Sequence, residues 1–289
     1  MDLATFLIQV LNSVQYGLLL FLVASGLTLI FGIMGIINLA HGSFYMLGAY
    51  LAFSLTQFTG SLFLALPLGL VLAVLFGAAL ERLFMTRLYG RDHLYQVLLT
   101  YGLILVIDES RSLIWGNDVH GVPVPRAFDW SLPLTETLSY PVYRLLISGI
   151  CLLVAGGLYL MIQHTRLGMT IRAGASNREM TQALGIDIGR VYAVVFALGV
   201  ALAALAGMIA APVASVFPGM GGQVLIVSFV VVVIGGIGSV KGALVAALLI
   251  GFADTFGKIL VPQVAGMAVY LLMAVVLLLK PAGLFGRTS

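Results

Sequence analysis

Nine long apolar stretches joined by short polar segments run through almost the whole of this 289-residue chain, and they restrict its fold more than any other feature. They fall at 5–33, 42–58, 61–80, 94–115, 141–163, 191–212, 223–238, 242–261 and 266–280. About 20 apolar residues in a helix span the hydrocarbon of a bilayer. Charge agrees: Lys and Arg number 14 and Asp and Glu 11, together 9% of the chain, against about 25% in soluble domains. With 61% of residues apolar, the chain has too few polar groups to cover itself in water. The expected fold is an all-α polytopic membrane protein of about 8–10 transmembrane or re-entrant helices, forming one domain over 1–289. A β-barrel is excluded because the apolar runs are continuous and do not alternate.

Composition removes several function classes. The net charge of +3 is scattered over short loops and makes no basic face for nucleic acid. The single cysteine, Cys151, sits in an apolar run and allows neither an internal disulfide nor a cysteine metal cluster. His41, His93, His120 and His164 are scattered without metal-ligand spacing, so no metal is expected. No nucleophile stands beside a base, and no phosphate-binding glycine loop is present, so the chain does not read as an enzyme and no bound cofactor is expected. The first apolar run has no basic residue before it and no small-residue cleavage site after it. It reads as a retained span, not a signal peptide.

Basic residues orient the spans. Arg82, Arg87 and Arg91, then Arg166, Arg172, Arg178 and Arg190, then Lys280 and Arg287, make up nine of the fourteen basic residues. By the positive-inside rule these three regions are cytoplasmic. The segment 116–140, with Trp130, three acids (Asp118, Asp129, Glu136) and one arginine, then lies outside, as does the uncharged 213–222. Odd parity puts the N-terminus, carrying Asp2, outside and the C-terminus inside.

Two glycine-rich breaks interrupt apolar stretches. One runs from Gly32 through Gly35, Asn38 and His41 to Gly42; the other comprises Gly235, Gly236, Ile237, Gly238, Ser239, Val240, Lys241 and Gly242. Each precedes a helix rich in small residues, so the pair suggests an internal repeat. Broken helices at membrane depth survive only where protein or a water-filled cavity satisfies the freed backbone, and duplicated breaks point to a transport path. The plainer reading is a pair of tight glycine turns at the membrane surface. Asn38, His41, Ser239 and Lys241 either meet a solute or cap the next helix. Tyr101 and Glu109 are further candidates for a polar path, and Asp108 or Glu109 is expected to pair with Arg111. Asp254 and Lys258, four apart on one helix face, form either a functional charge relay or a neutralising structural pair.

The loop 165–190 holds a Ser176/Glu179 capping box that starts a two-turn helix, and Gly185 is placed to end it. Met180, Ala183 and Leu184 share one face of that helix. So short a helix needs a surface to pack on, either its own bundle or a groove on another subunit.

Together, the 35–42 break, Ile114-Trp115-Gly116 with Gly121-Val122-Pro123-Val124, the Arg172–Ile186 loop and the 235–242 break resemble the permease subunits of branched-chain amino-acid ABC importers, LivH type, over almost the whole chain. The resemblance implies an ABC importer permease in the bacterial inner membrane. It also implies pairing with a second, LivM-type permease, two cytoplasmic ATPase subunits that carry ATP and Mg, and a periplasmic solute-binding protein. It makes residues 176–184 a coupling helix, with Glu179, Ala183 and Gly185 at matching positions; Met180 and Thr181 depart from the family's alanines. The competing reading is an ion-coupled secondary transporter or channel using Asp254, Lys258, Glu109 and Arg111. A purely structural membrane protein is a third reading, against which the paired breaks argue.

Overall fold

A computed structural model of the chain describes residues 3–133 and 138–286. Asp2, Glu136 and Arg287, used in the charge argument, lie outside the described residues. Eleven α-helices and one short hairpin are present among those described. In chain order they are α1 (Leu3–Met34), α2 (His41–Thr59), α3 (Leu62–Leu83), α4 (His93–Trp115), β1 (Ser131–Pro133), β2 (Ser139–Pro141), α5 (Val142–His164), α6 (Arg166–Ser176), α7 (Arg178–Ala183), α8 (Ile188–Ala214), α9 (Met220–Gly235), α10 (Val240–Leu260) and α11 (Ala265–Leu279). The nine long helices coincide with the nine apolar stretches. Five of them are long and apolar enough to cross a membrane outright: α1, α3 with its 3-10 extension, α5, α8 and α10. At 16 and 15 residues, α9 and α11 are shorter apolar helices.

Packing centres on α1 and α8, the two helices that bury the most apolar side chains, from Leu18 to Ile30 and from Val195 to Ala211. Helices in lipid approach through small residues, because no hydrophobic force separates protein from acyl chain. Here Gly26 meets Gly199 where α1 crosses α8, and Gly17 meets Ala247 where α1 crosses α10. Outward faces of α3, α4, α5 and α11 keep large apolar side chains exposed, as lipid-facing or partner-facing helices do.

One end of the bundle is basic. Arg82, Arg87, Arg91, Arg166, Arg172, Arg178, Arg190, Lys241 and Lys280 all belong to elements ending or beginning there, and Arg178 reaches across to donate to the Tyr89 carbonyl at 3.3 Å. At the opposite end the 116–141 segment folds over the helix ends. His120 and Val216 exchange two backbone hydrogen bonds of 2.8 Å, Trp115 donates to Ser54 Oγ at 2.6 Å, and β1 pairs antiparallel with β2.

Candidate functional site

The two glycine breaks differ. In the first, α1 ends at Met34 and Gly35 takes φ +66°, a left-handed conformation open to glycine without strain. The chain then turns back into the bundle. His41, fully buried, places Nε2 2.9 Å from the carbonyl of Val23, about 16 Å up α1 from its end by helical rise. So α2 starts at membrane depth. Asn38, also fully buried, accepts from the Ala40 N–H at 3.1 Å through Oδ1. Asn38 Nδ2 and His41 Nδ1 have no hydrogen-bond partner.

The element that meets this break is the start of α9. Gly42 and Gly221 lie backbone to backbone, and a Cβ on Gly221 would come 2.7 Å from the Gly42 carbonyl oxygen. Two helices therefore begin side by side inside the bundle with their positive dipole ends together, and turn carbonyls such as those of Asn38, Ala40, Phe217 and Gly219 accept from their first N–H groups. The second break, 236–239, sits at the basic end beside Gly32, with Gly236 at φ +94° and Gly238 at φ +78°. Gly235 and Gly242 pack against one another across this turn. Ser239 caps α10, accepting from Gly242 N–H at 3.0 Å, and the tail donates from Leu284 and Phe285 to the Ile234 and Gly235 carbonyls. Lys241 is exposed over the Tyr159 ring, 5.6 Å from its centroid. The second break is thus a surface turn, and the two breaks are unlike in depth because only the first is followed by a segment that re-enters the bundle.

Two further sequence expectations are corrected. Arg111 does not pair with Asp108 or Glu109. Its guanidinium donates to the Gly116 carbonyl at 2.6 Å and to Asn117 Oδ1 at 2.9 Å, so it ties down the end of its own helix. Tyr101 and Glu109 are exposed on α4 and line neither the apolar crevice beside α4 nor the polar cavity described below, since their helix turns Leu103, Ile107 and Arg111 inward. The crevice beside α4, of 860 Å³, is almost wholly apolar, between Phe44, Phe76, Leu99 and Val200.

Polar groups gather in a different place. A cavity of 380 Å³ opens between α1, α5, α8 and α10 near the end opposite the basic one. Its wall holds Gln9, Asn12, Gln15 and Tyr16 of α1, Tyr45 of α2, Arg144 of α5, and Asp254 and Lys258 of α10. Asp254 and Lys258 form the expected ion pair at 2.6 Å, with Asp254 largely shielded and Lys258 63% exposed. Arg144 donates to Asn12 Oδ1 at 2.7 Å. Burial pushes the Tyr140 hydroxyl pKa up, and the neighbouring guanidinium of Arg144 pulls it back. Sequence reading missed this cavity, although Gln9, Asn12 and Tyr16 fall at helical spacing on one face of an otherwise apolar span. Tyr45, one turn beyond His41, links it to the first break.

At the basic end the loop contains two helices instead of one. Ser176 is not a cap: it is the last residue of α6. Asn177 caps α7, accepting from Met180 N–H at 2.9 Å, because Asn177 is the residue whose backbone is extended (φ −152°, ψ 102°) at the joint. Gly185 at φ +83° ends α7. Its N–H bonds to Gln182 O at 2.9 Å and that of Ile186 to Thr181 O at 3.3 Å, a Schellman pair. Thr181 is buried against the bundle, while Glu179, Met180, Ala183 and Leu184 face out, Leu184 74% exposed.

An all-α bundle of long apolar helices, with two helix starts meeting inside it and a short helix that exposes Met180 and Leu184 at a basic end, defines a multi-pass membrane transport protein. The family model for the permease component of branched-chain amino acid transport systems matches residues 9–279, and the chain belongs to that family. It is 32% identical, over 98% of its own length and 96% of the relative's, to the high-affinity branched-chain amino acid transport system permease protein BraD of Pseudomonas aeruginosa. It is 30% identical to LivH of Escherichia coli K12 over 98% of its length and 96% of the relative's. A ribose import permease, RbsC of Escherichia coli K12, is 35% identical over 37% of this chain and 35% of the relative's. No solved structure matches.

Proposed function

We propose that the chain is the membrane-spanning subunit of an ATP-driven importer for branched-chain or related amino acids in a bacterial inner membrane. In this reading it pairs with a second, similar permease, takes solute from a periplasmic binding protein, and is driven by two cytoplasmic ATPase subunits that hold the ATP and Mg. The basic end faces the cytoplasm, with the C-terminus, while 116–140 and the N-terminus lie outside. The family supports an importer permease over the ion-coupled alternative.

The observation that carries the coupling role is α7. Its Asn177 cap and Gly185 stop fix a six-residue helix, from Arg178 to Ala183, that leaves Met180 and Leu184 in solvent at the basic end. Exposed apolar side chains on a pinned short helix are an anchor for a groove on another protein. Arg178, bonded to the Tyr89 carbonyl and stacked 5.3 Å over the Tyr192 ring, ties this helix to the joint after α3 and to the start of α8. Closure of the ATPase pair would push α7 and through it α8, against which α1, α2 and α3 pack. A stroke at α8 therefore shifts the meeting point of α2 and α9, the narrow part of the path. ATP acts by favouring one of the two bundle states over the other.

Glu179→Ala combined with Leu184→Ala tests this in vesicles holding the complete complex. Uptake of leucine should fall at least about tenfold, the consequence of losing about 1.4 kcal/mol or more at an interface anchor, while the ATPases still hydrolyse ATP. Unchanged uptake would overturn the coupling role. Uptake that follows a proton or sodium gradient in vesicles lacking any ATPase would favour the ion-coupled reading.

A further inference from the structure

The 380 Å³ cavity has the chemistry of a particular solute class. One side carries charge: Arg144 and Lys258 are cations and Asp254 is an anion. The other side is aliphatic, from Leu19, Ile147, Val213 and Ile259. Among the described residues only two ion pairs are present, Arg190–Asp187 and Lys258–Asp254. Arg144 therefore has neutral neighbours, the Asn12 side-chain carbonyl and the Tyr140 hydroxyl, and no carboxylate in salt-bridge reach among the described residues, although a carboxylate is the stronger partner for a guanidinium.

We infer that this cavity is a subsite for a free α-amino acid with an aliphatic side chain, its carboxylate received by Arg144 and Lys258 and its ammonium by Asp254. The inference rests on the importer reading and adds to it the place and groups that hold the solute on its way in. Asp254 and Lys258 are bonded to each other at the cavity wall. An arriving zwitterion replaces that bridge partner for partner, the Asp254 carboxylate exchanging an ammonium for an ammonium and Lys258 a carboxylate for a carboxylate. No net charge enters the bundle, so the exchange avoids the cost of burying an unpaired ion. Arg144 exchanges the Asn12 carbonyl for a carboxylate, which is a stronger bond. The aliphatic wall takes the side chain, and a volume of this size suits a small ligand. Tyr45, in the same wall, stands one turn from the first residue of α2, so the subsite leads toward the deep helix break.

The test uses the complete complex in vesicles with the solute-binding protein saturated by leucine, reading both leucine transported and ATP hydrolysed. Arg144→Gln and Asp254→Asn should each lower leucine moved per ATP about tenfold while leaving ATP hydrolysis within about twofold. The exchange Asp254→Lys with Lys258→Asp separates a solute role from a structural one. It keeps the ion pair and its (i, i+4) spacing, so the thermal midpoint should hold while transport stays low. Recovered transport in that exchange, or normal leucine per ATP in both single variants, would overturn the subsite. A transport loss seen only in vesicles rich in phosphatidylethanolamine, and absent with phosphatidylglycerol alone, would mean that a lipid headgroup occupies the cavity and would also overturn it. If the unaltered complex hydrolyses ATP and moves no leucine, the importer reading fails before the subsite is in question.

Discussion

His41, the first residue of α2, places its Nε2 2.9 Å from the carbonyl oxygen of Val23, deep within α1. A carbonyl only accepts, so the Nε2–H donates and the ring holds the start of α2 at that depth. The segment 35–40 can then fold back into the bundle without drifting to the basic end.

Replacing His41 by Leu removes the donor at a fully buried site. The expected loss is about 1–3 kcal/mol, the range for a buried hydrogen bond broken on one side. It would show as a lower midpoint in thermal unfolding of the purified protein in detergent. His41→Gln keeps a donor and should recover part of the loss. Equal midpoints for His41→Leu and the parent would mean that packing alone fixes the start of α2.

Gly42 and Gly221 allow α2 and α9 to start in backbone contact. Gly221→Ala adds a Cβ 2.7 Å from the Gly42 carbonyl oxygen, too close for any real side chain. The atoms it would meet, O and C of Gly42 and N of Ser43, are all backbone, so the helices must part, at a cost of about 1–3 kcal/mol for overpacking. Transport should drop while the protein still reaches the membrane. In contrast, Gly222→Ala meets open space and should behave as the parent. A Gly221→Ala protein with parental uptake would show that this crossing is not on the moving path.

The ends of the short loop helix give a local test of its cap. Asn177→Ala should weaken α7 by about 1 kcal/mol, the usual value of an N-cap, and raise proteolytic cutting near residue 178. Ser176→Ala should leave cutting unchanged, since Ser176 belongs to the end of α6. The reverse pattern would restore Ser176 as the cap.

These comparisons show what a sequence carries. Apolar run length placed all nine long helices, because the bilayer sets helix length and leaves few alternatives. The capping box was misplaced by one residue: Ser176 and Asn177 are both competent caps, and only the backbone of the preceding helix decides between them. The depth of the two breaks was hidden for a related reason. Gly35 and Gly236 look alike in sequence, yet depth depends on where residues 36–40 find room between α1 and α9, which is a tertiary matter. The polar cavity was partly legible as Gln9, Asn12 and Tyr16 on one face. Arg144 joins them from another helix 132 positions away in the chain, and no local pattern records that meeting.

Tyr89, in the joint after α3, supplies a prediction in pH. Its hydroxyl donates to the Glu81 carboxylate, and burial together with that carboxylate raises its pKa above the ordinary 10.0. The folded state therefore holds the phenol proton more tightly than the unfolded chain does. By linkage, the stability this gives is fully present below pH 10 and is lost as pH rises from the unfolded value toward the folded one. Thermal midpoints should fall between about pH 10 and 11, and Tyr89→Phe, which has no proton to lose, should flatten that part of the curve. The same substitution leaves the Tyr89 carbonyl free to accept from Arg178, so α7 keeps its tether and coupled uptake near pH 7 should persist. A Tyr89→Phe protein whose midpoint falls as steeply as the parent's would show that another group governs the alkaline limb.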